Sequence, residues 1–151
     1  MSKPIIEAVK EFLETCPELG ELAKVSVDFL GKKDGVSYSI EETPANPVIR
    51  RFVDGSRECQ FLFVFASRNF YDNDSTSRDN IDNLHLYEKL SAWLDEQNRA
   101  LNFPDLGEDR EPLSIEATTA GYLFGVNDGQ HCARYQIQCR LIYKERKNIY
   151  G

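Results

Sequence analysis

The chain has 151 residues, 41% of them hydrophobic and 11% aromatic, with 18 basic and 25 acidic side chains for a formal net charge of -7. A domain of this length buries roughly 68–70% of the surface its unfolded chain exposes, so one domain is expected over residues 1–151, with an ordered core over about 4–144 and a tail over 145–151. The acidic balance argues against a grip on nucleic acid, which needs clustered Lys and Arg, and no apolar run approaches the roughly 20 residues of a membrane helix.

Residues 4–16 begin with Pro4 and carry Ile5, Ile6, Val9, Phe12, Leu13 and Cys16 at spacings that make one apolar stripe, so an amphipathic helix is expected there, stopped by Pro17. Glu7, Glu11 and Glu14 interrupt the same stretch and exclude a secretory signal, so the chain is expected to stay in the cytoplasm that makes it. Residues 24–30 and 36–41 alternate apolar and polar around Gly31-Lys32-Lys33-Asp34-Gly35, the pattern of a β-hairpin. Pro44 and Pro47 then exclude regular sheet pairing.

Residues 48–53 resume an extended pattern and turn at Asp54-Gly55-Ser56 into residues 58–68. There Phe61, Leu62, Phe63, Val64, Phe65 and Ala66 are apolar without a gap, which predicts a central strand covered on both faces. The polar stretch 69–80 reads as a mobile loop anchored by Phe70 and Tyr71. A second helix is expected over 79–100, with Ile81, Leu84, Tyr87, Leu90 and Leu94 on its stripe, Leu86 and Trp93 widening it, and Ser77 or Asp79 as its cap.

Residues 113–119 and 121–124 read as strand, and Asn127-Asp128-Gly129 turns the chain into the clearest element of all. Over 132–144, Ala133, Tyr135, Ile137, Cys139, Leu141 and Tyr143 alternate with Arg134, Gln136, Gln138, Arg140 and Lys144; only Ile142 departs from the alternation. Such a strand is about twice the usual length. Its Arg and Gln face suits water or a partner better than it suits chemistry. The element order predicts an α+β fold, a mainly antiparallel sheet packed on two amphipathic helices.

Candidates for chemistry are few. The cysteines at 16, 59, 132 and 139 form no C-x-x-C pair, and Cys132 and Cys139 fall on opposite faces of one strand, so no metal site is expected. Cys16, Cys59 and Cys139 lie in apolar sequence and read as small core residues of a reduced chain. His85 and His131 are the only histidines, the carboxylates cluster as sequence neighbours, and no nucleophile elbow, zinc-protease or phosphate-loop pattern occurs. No catalytic residue and no cofactor is therefore expected; a small-molecule transferase built on His131 or His85, or a peptide binder at a sheet edge, are the alternatives of other classes.

Val53-Asp54-Gly55-Ser56, Gln60-Phe61-Leu62-Phe63-Val64-Phe65-Ala66-Ser67-Arg68, Tyr87-Glu88-Lys89 before Trp93-Leu94, Gly121-Tyr122-Leu123-Phe124 and Ala133-Arg134-Tyr135-Gln136-Ile137-Gln138-Cys139-Arg140-Leu141 together resemble the small minor capsid proteins of bacteriophages that infect Gram-positive bacteria. The resemblance spans residues 5–143. In element order the chain is also similar to the tail-terminator proteins of long-tailed phages, whose α+β fold assembles as a hexameric ring on the tail tube.

That resemblance implies a structural virion protein of the tail or neck, made in the host bacterial cytoplasm. It would cap the tube and join it to the head, with a stopper or adaptor of the neck as the variant reading. The implied partners are further copies of the chain, the tail tube protein and a neck or connector protein. DNA would pass through the opening without specific binding, and no membrane is involved. Phe70, Tyr71, Arg134, Gln136, Gln138 and Arg140 are the interface residues expected from the loop and the polar strand face.

Overall fold

A computed structural model of the chain describes residues 4–19, 25–27, 37–70, 78–127 and 132–146. The expected turns at 31–35 and 128–129, the cap Ser77, His131, Tyr71 and residues 147–151 of the expected tail lie outside them.

Pro4 stands at the N-cap of the first helix, α1 (Ile5–Leu13), and its carbonyl accepts from Glu7 N at 3.1 Å and Ala8 N at 3.2 Å. The fixed φ of proline pre-sets this entry. The helix stops at Leu13, short of the expected Cys16, and tightens into a 3₁₀ turn at Pro17–Leu19. A residue before proline avoids the α region, which explains the change of winding.

Seven strands form one sheet among the described residues: β1 (Val25–Val27), β2 (Ser37–Glu42), β3 (Val48–Arg51), β4 (Arg57–Phe70), β5 (Arg110–Ala117), β6 (Tyr122–Asn127) and β7 (Cys132–Glu145). Its spine is the antiparallel pair β4 and β7, in register from Arg57↔Glu145 to Phe70↔Cys132. β2 and β3 lie end to end along the outer side of β4, and β5 and β6 lie likewise along β7. The prolines interrupt the first of these runs without ending it, because Thr43 N still donates to Leu62 O and Gln60 N to Pro47 O, both at 2.8 Å.

The class is α+β with a mainly antiparallel sheet, as the element order predicts; β1 is the exception. It pairs with β2 in parallel, Val25↔Tyr38 through Val27↔Ile40, so the expected hairpin does not form. Turn residues between two strands show that the chain bends, without showing how often. The nine residues 28–36 can span about 30 Å, enough to carry the chain back past a three-residue strand. The expected loop at 69–80 is also shortened: Asn69 and Phe70 continue the ladder to Ala133 and Cys132, and the second helix, α2, spans Arg78–Ala100 with Asp79 inside it. Glu145, expected to open the tail, pairs with both Arg57 and Arg110.

Both helices cover one face of the sheet. Phe61, Phe63 and Phe65 of β4 and the odd-numbered residues of β7 from Ala133 to Tyr143 are buried there against Val9, Phe12 and Leu13 of α1 and Tyr87, Leu90, Trp93 and Leu94 of α2. Phe12 and Trp93 join the helices, ring centroids 5.1 Å apart. Cys16, Cys59 and Cys139 are buried free thiols in this core, and burial pushes Cys139 up to about 12. Tyr87 is buried to its hydroxyl, which lies 2.5 Å from Ser67 Oγ and donates to Tyr135 O at 2.9 Å; burial raises its pKa well above the usual phenol range.

Among the described residues the opposite face carries no helix. β4 is central, but Leu62 and Val64 are only half-buried, which corrects the expectation of cover on both sides. At the start of α2 the expected stripe is likewise unmet, since Ile81 and Leu84 are exposed. Two helices suffice for one face of an antiparallel sheet, whose other face can meet solvent.

Candidate assembly surface

Residues paired across neighbouring strands project to the same face. The β4–β7 register therefore sets Leu62 beside Arg140, Val64 beside Gln138, Ala66 beside Gln136 and Arg68 beside Arg134 on the uncovered side. β2 adds Ser39 and Glu41, β5 adds Glu116, and β6 adds Tyr122. Arg134, Gln136, Gln138 and Arg140 thus form one row, as their alternation in sequence predicts. Phe70 ends β4 opposite Cys132.

The row is a bonded network. Arg134 ion-pairs through Nη2 with Glu41, reaching across β4 where Ala66 keeps the surface low, and donates through Nε to Gln136 Oε1 at 3.0 Å. Its guanidinium also sits 5.1 Å from the centroid of the Phe124 ring, within cation–π range. Gln136 and Gln138 both donate to the Tyr122 hydroxyl, at 2.6 and 3.2 Å. These two amides, Gln136 first, lower the pKa of that phenol because they favour the phenolate oxygen. Arg140 donates through Nη2 to Glu116 at 2.8 Å, while its Nε is buried without an acceptor among the described residues.

Ion pairs this exposed contribute about 0.2–1 kcal/mol each. Their main effect is to hold long side chains in place beside half-buried Leu62 and Val64. Glu41, Glu116, Tyr122 and Phe124 are not among the interface residues expected from the sequence. Their place depends on strand register, and a bulge between Leu123 and Gly125 shifts the β6 register in a way that no local pattern announces.

Two corners of the sheet add exposed apolar groups. At β6, Leu123, Phe124 and Val126 are exposed, Phe124 to 61%. At β3 and the turn after it, Ile49, Phe52 and Val53 are exposed. That turn is rigid: Asp54 Oδ1 accepts from Ser56 N at 2.9 Å and from Ser56 Oγ at 2.5 Å, Phe52 N donates to Ser56 O at 2.9 Å, and Gly55 supplies a φ of 91°. The Ser56 donors lower the Asp54 pKa.

His85 does not stand in an enclosed site. It lies on the exposed side of α2, Nδ1 3.3 Å from Glu88 Oε2, in an open groove with Ile81, Asp82 and Leu84. No group of three His, Cys, Asp or Glu side chains suited to a metal ion occurs among the described residues, and no described helix is long and apolar enough to cross a membrane. No protein-family model and no curated protein matches the chain.

Proposed function

We propose that this protein is a non-catalytic virion assembly component, a phage tail terminator or nearby head–tail joining ring that works through contacts with copies of itself and with the tail tube. The observation that carries this reading is the sheet face that no described helix covers, where half-buried Leu62, Val64 and Ile142 share the surface with an ordered Arg–Glu–Gln–Tyr network. Chemistry needs convergent groups in a site that excludes water. A partner surface needs a flat, held array with apolar ground between the polar groups, and that is what the face offers. The resemblance of the quoted segments to minor capsid proteins supplies the biological setting, as analogy.

Passage of DNA without capture is consistent with the same network. Arg134 and Arg140 are already occupied by Glu41 and Glu116, so they offer little to phosphates.

Native mass spectrometry and electron microscopy of the protein with tail tubes test the proposal. Closed rings on tube ends are expected; a strict monomer that never joins a tube end refutes it. Cross-links to the portal side in place of the last tube ring would move the assignment to a stopper or adaptor.

A further inference from the structure

An edge strand exposes unpaired backbone groups and invites another strand. Among the described residues the sheet has outer segments at β1 and β3 on one side and β5 and β6 on the other. The protein's own helices close two of them. Glu14, the C-cap of α1, accepts the Val25 N–H of β1 at 3.0 Å, and Asn98 of α2 takes both the N–H and the carbonyl of Ile115 in β5, the former at 2.9 Å. No described helix does this for β3 or β6. At β3 the Val48 N–H is met locally, by Asn46 Oδ1 at 3.0 Å.

The open segments are complementary in position and direction. β3 lies beside residues 57–59 of β4, at one end of the spine, and β6 beside residues 132–136 of β7, at the other. They occupy diagonally opposite corners. Each runs antiparallel to its long neighbour, and the long strands are antiparallel to each other, so β3 and β6 point in opposite directions. A second copy placed alongside in the same orientation, displaced along the strands, brings its β3 against β6 as an antiparallel pair with exposed apolar residues on both members.

Charge selects the same arrangement. In that pair the Arg51 end of β3 meets the Tyr122 end of β6. Arg51 is opposite Arg57, and so shares the helix side of the sheet with Cys59. On that side, next to Gly121, a groove of about 310 Å³ is lined by Glu88, Ser91 and Asp95 of α2. Arg51 is exposed with no acidic partner among the described residues, and β6 carries no charged residue. Pairing β3 with β3 would instead oppose arginines.

We propose that β3 of one copy adds to the sheet of the next along β6, with Arg51 seated between Glu88 and Asp95 of its neighbour. The contact is head-to-tail and uses a different patch on each side, so it propagates and closes when the strands tilt about a common axis. This deepens the ring reading. The following test needs no tail tube, so failure of the strand contact is separable from failure of the tube-end assignment.

In a Cys132→Ser background, Ile49→Cys and Phe124→Cys are joined by a short bismaleimide in the isolated protein. The double variant should give a ladder of linked copies, a mixture of the two single variants only dimers, and each single variant alone no product. Arg51→Glu and Asp95→Arg should each weaken association roughly tenfold or more, and the two together should restore it. Linked dimers from Phe124→Cys alone would mean β6 pairs with itself about a twofold axis and would overturn the proposal. Absence of the ladder, in a monomeric or an assembled protein, or absence of charge-swap rescue, would do the same.

Discussion

Replacing Gly121 by Ala should destabilise the protein through overlap with a single residue. A β-carbon at position 121 would collide with Tyr87 Cβ and stand 2.5 Å from Tyr87 Cγ. Neither atom is the free end of a flexible chain: Tyr87 is buried on α2, and its hydroxyl is bonded to Ser67 and to Tyr135 O. Relief therefore requires moving α2 or the segment between β5 and β6. Overpacking of this kind costs about 1–3 kcal/mol. Against it stands the reduced freedom of the unfolded chain, worth about 0.4–1 kcal/mol to a Gly→Ala change where the new side chain fits. It does not fit, so the clash should win. For a chain of this size the net effect corresponds to a fall in Tm of about 2–10 °C. Thermal and urea unfolding followed by circular dichroism measure it, with Gly125→Ala as the control, because a β-carbon there meets nothing within 4 Å. Wild-type stability in Gly121→Ala would refute the packing of α2 against this segment.

Phe63→Ala, at a fully buried position in the central strand, should cost about 3–5 kcal/mol in urea unfolding. Tyr87→Phe leaves the Tyr135 carbonyl without that donor and should cost about 1–3 kcal/mol by the same assay. Cys139 has its pKa raised from 9.0 to about 12 by burial, so above pH 9 the unfolded chain releases a proton that the folded chain keeps. Its contribution to stability is complete below pH 9 and is lost as pH rises towards 12; Cys139→Ala should flatten the alkaline fall in unfolding free energy over that window. Arg134→Ala removes a part-exposed ion pair with Glu41 and should change stability by only about 0.2–1 kcal/mol, while weakening assembly in native mass spectrometry.

The elements that the sequence disclosed are those whose signal is local. Alternation in β7 fixes which side chains share a face whatever the strand pairs with, and so Arg134, Gln136, Gln138 and Arg140 could be grouped from spacing alone. The 3.6-residue stripes of α1 and the middle of α2 are legible for the same reason. What lies across the sheet is not local. Phe61 to Ala66 reads the same whether helices cover one face or two, and only the number of helices available to the sheet decides that Leu62 and Val64 stay half-buried. The direction of β1 escaped for a related reason, since turn-forming residue types between two strands do not give strand order, whereas Glu14, the C-cap of α1, holds Val25 from across the fold. Glu41 and Tyr122 joined the candidate surface only through register with β4 and β7.

The two interruptions in the outer strands connect core to surface. At residues 43–47 the prolines re-aim the chain while Thr43 and Pro47 keep its bonds to β4, so β3 rejoins the edge of β4 and carries its turn at a fixed place. At residues 118–121 the chain keeps its hold on β7 through Thr118 N to Gln138 O at 2.7 Å, and Gly121 then presses against Tyr87. The position of β6 is therefore referenced to α2 as well as to its neighbour strand, and the groove lined by Glu88 and Asp95 is built by that same contact. A substitution that lifts Gly121 off Tyr87 would displace β6 and the groove together. Gly121→Ala should accordingly lose association by more than its loss of folded population accounts for, whereas Phe63→Ala, buried in the common core, should lose association only in proportion to unfolding.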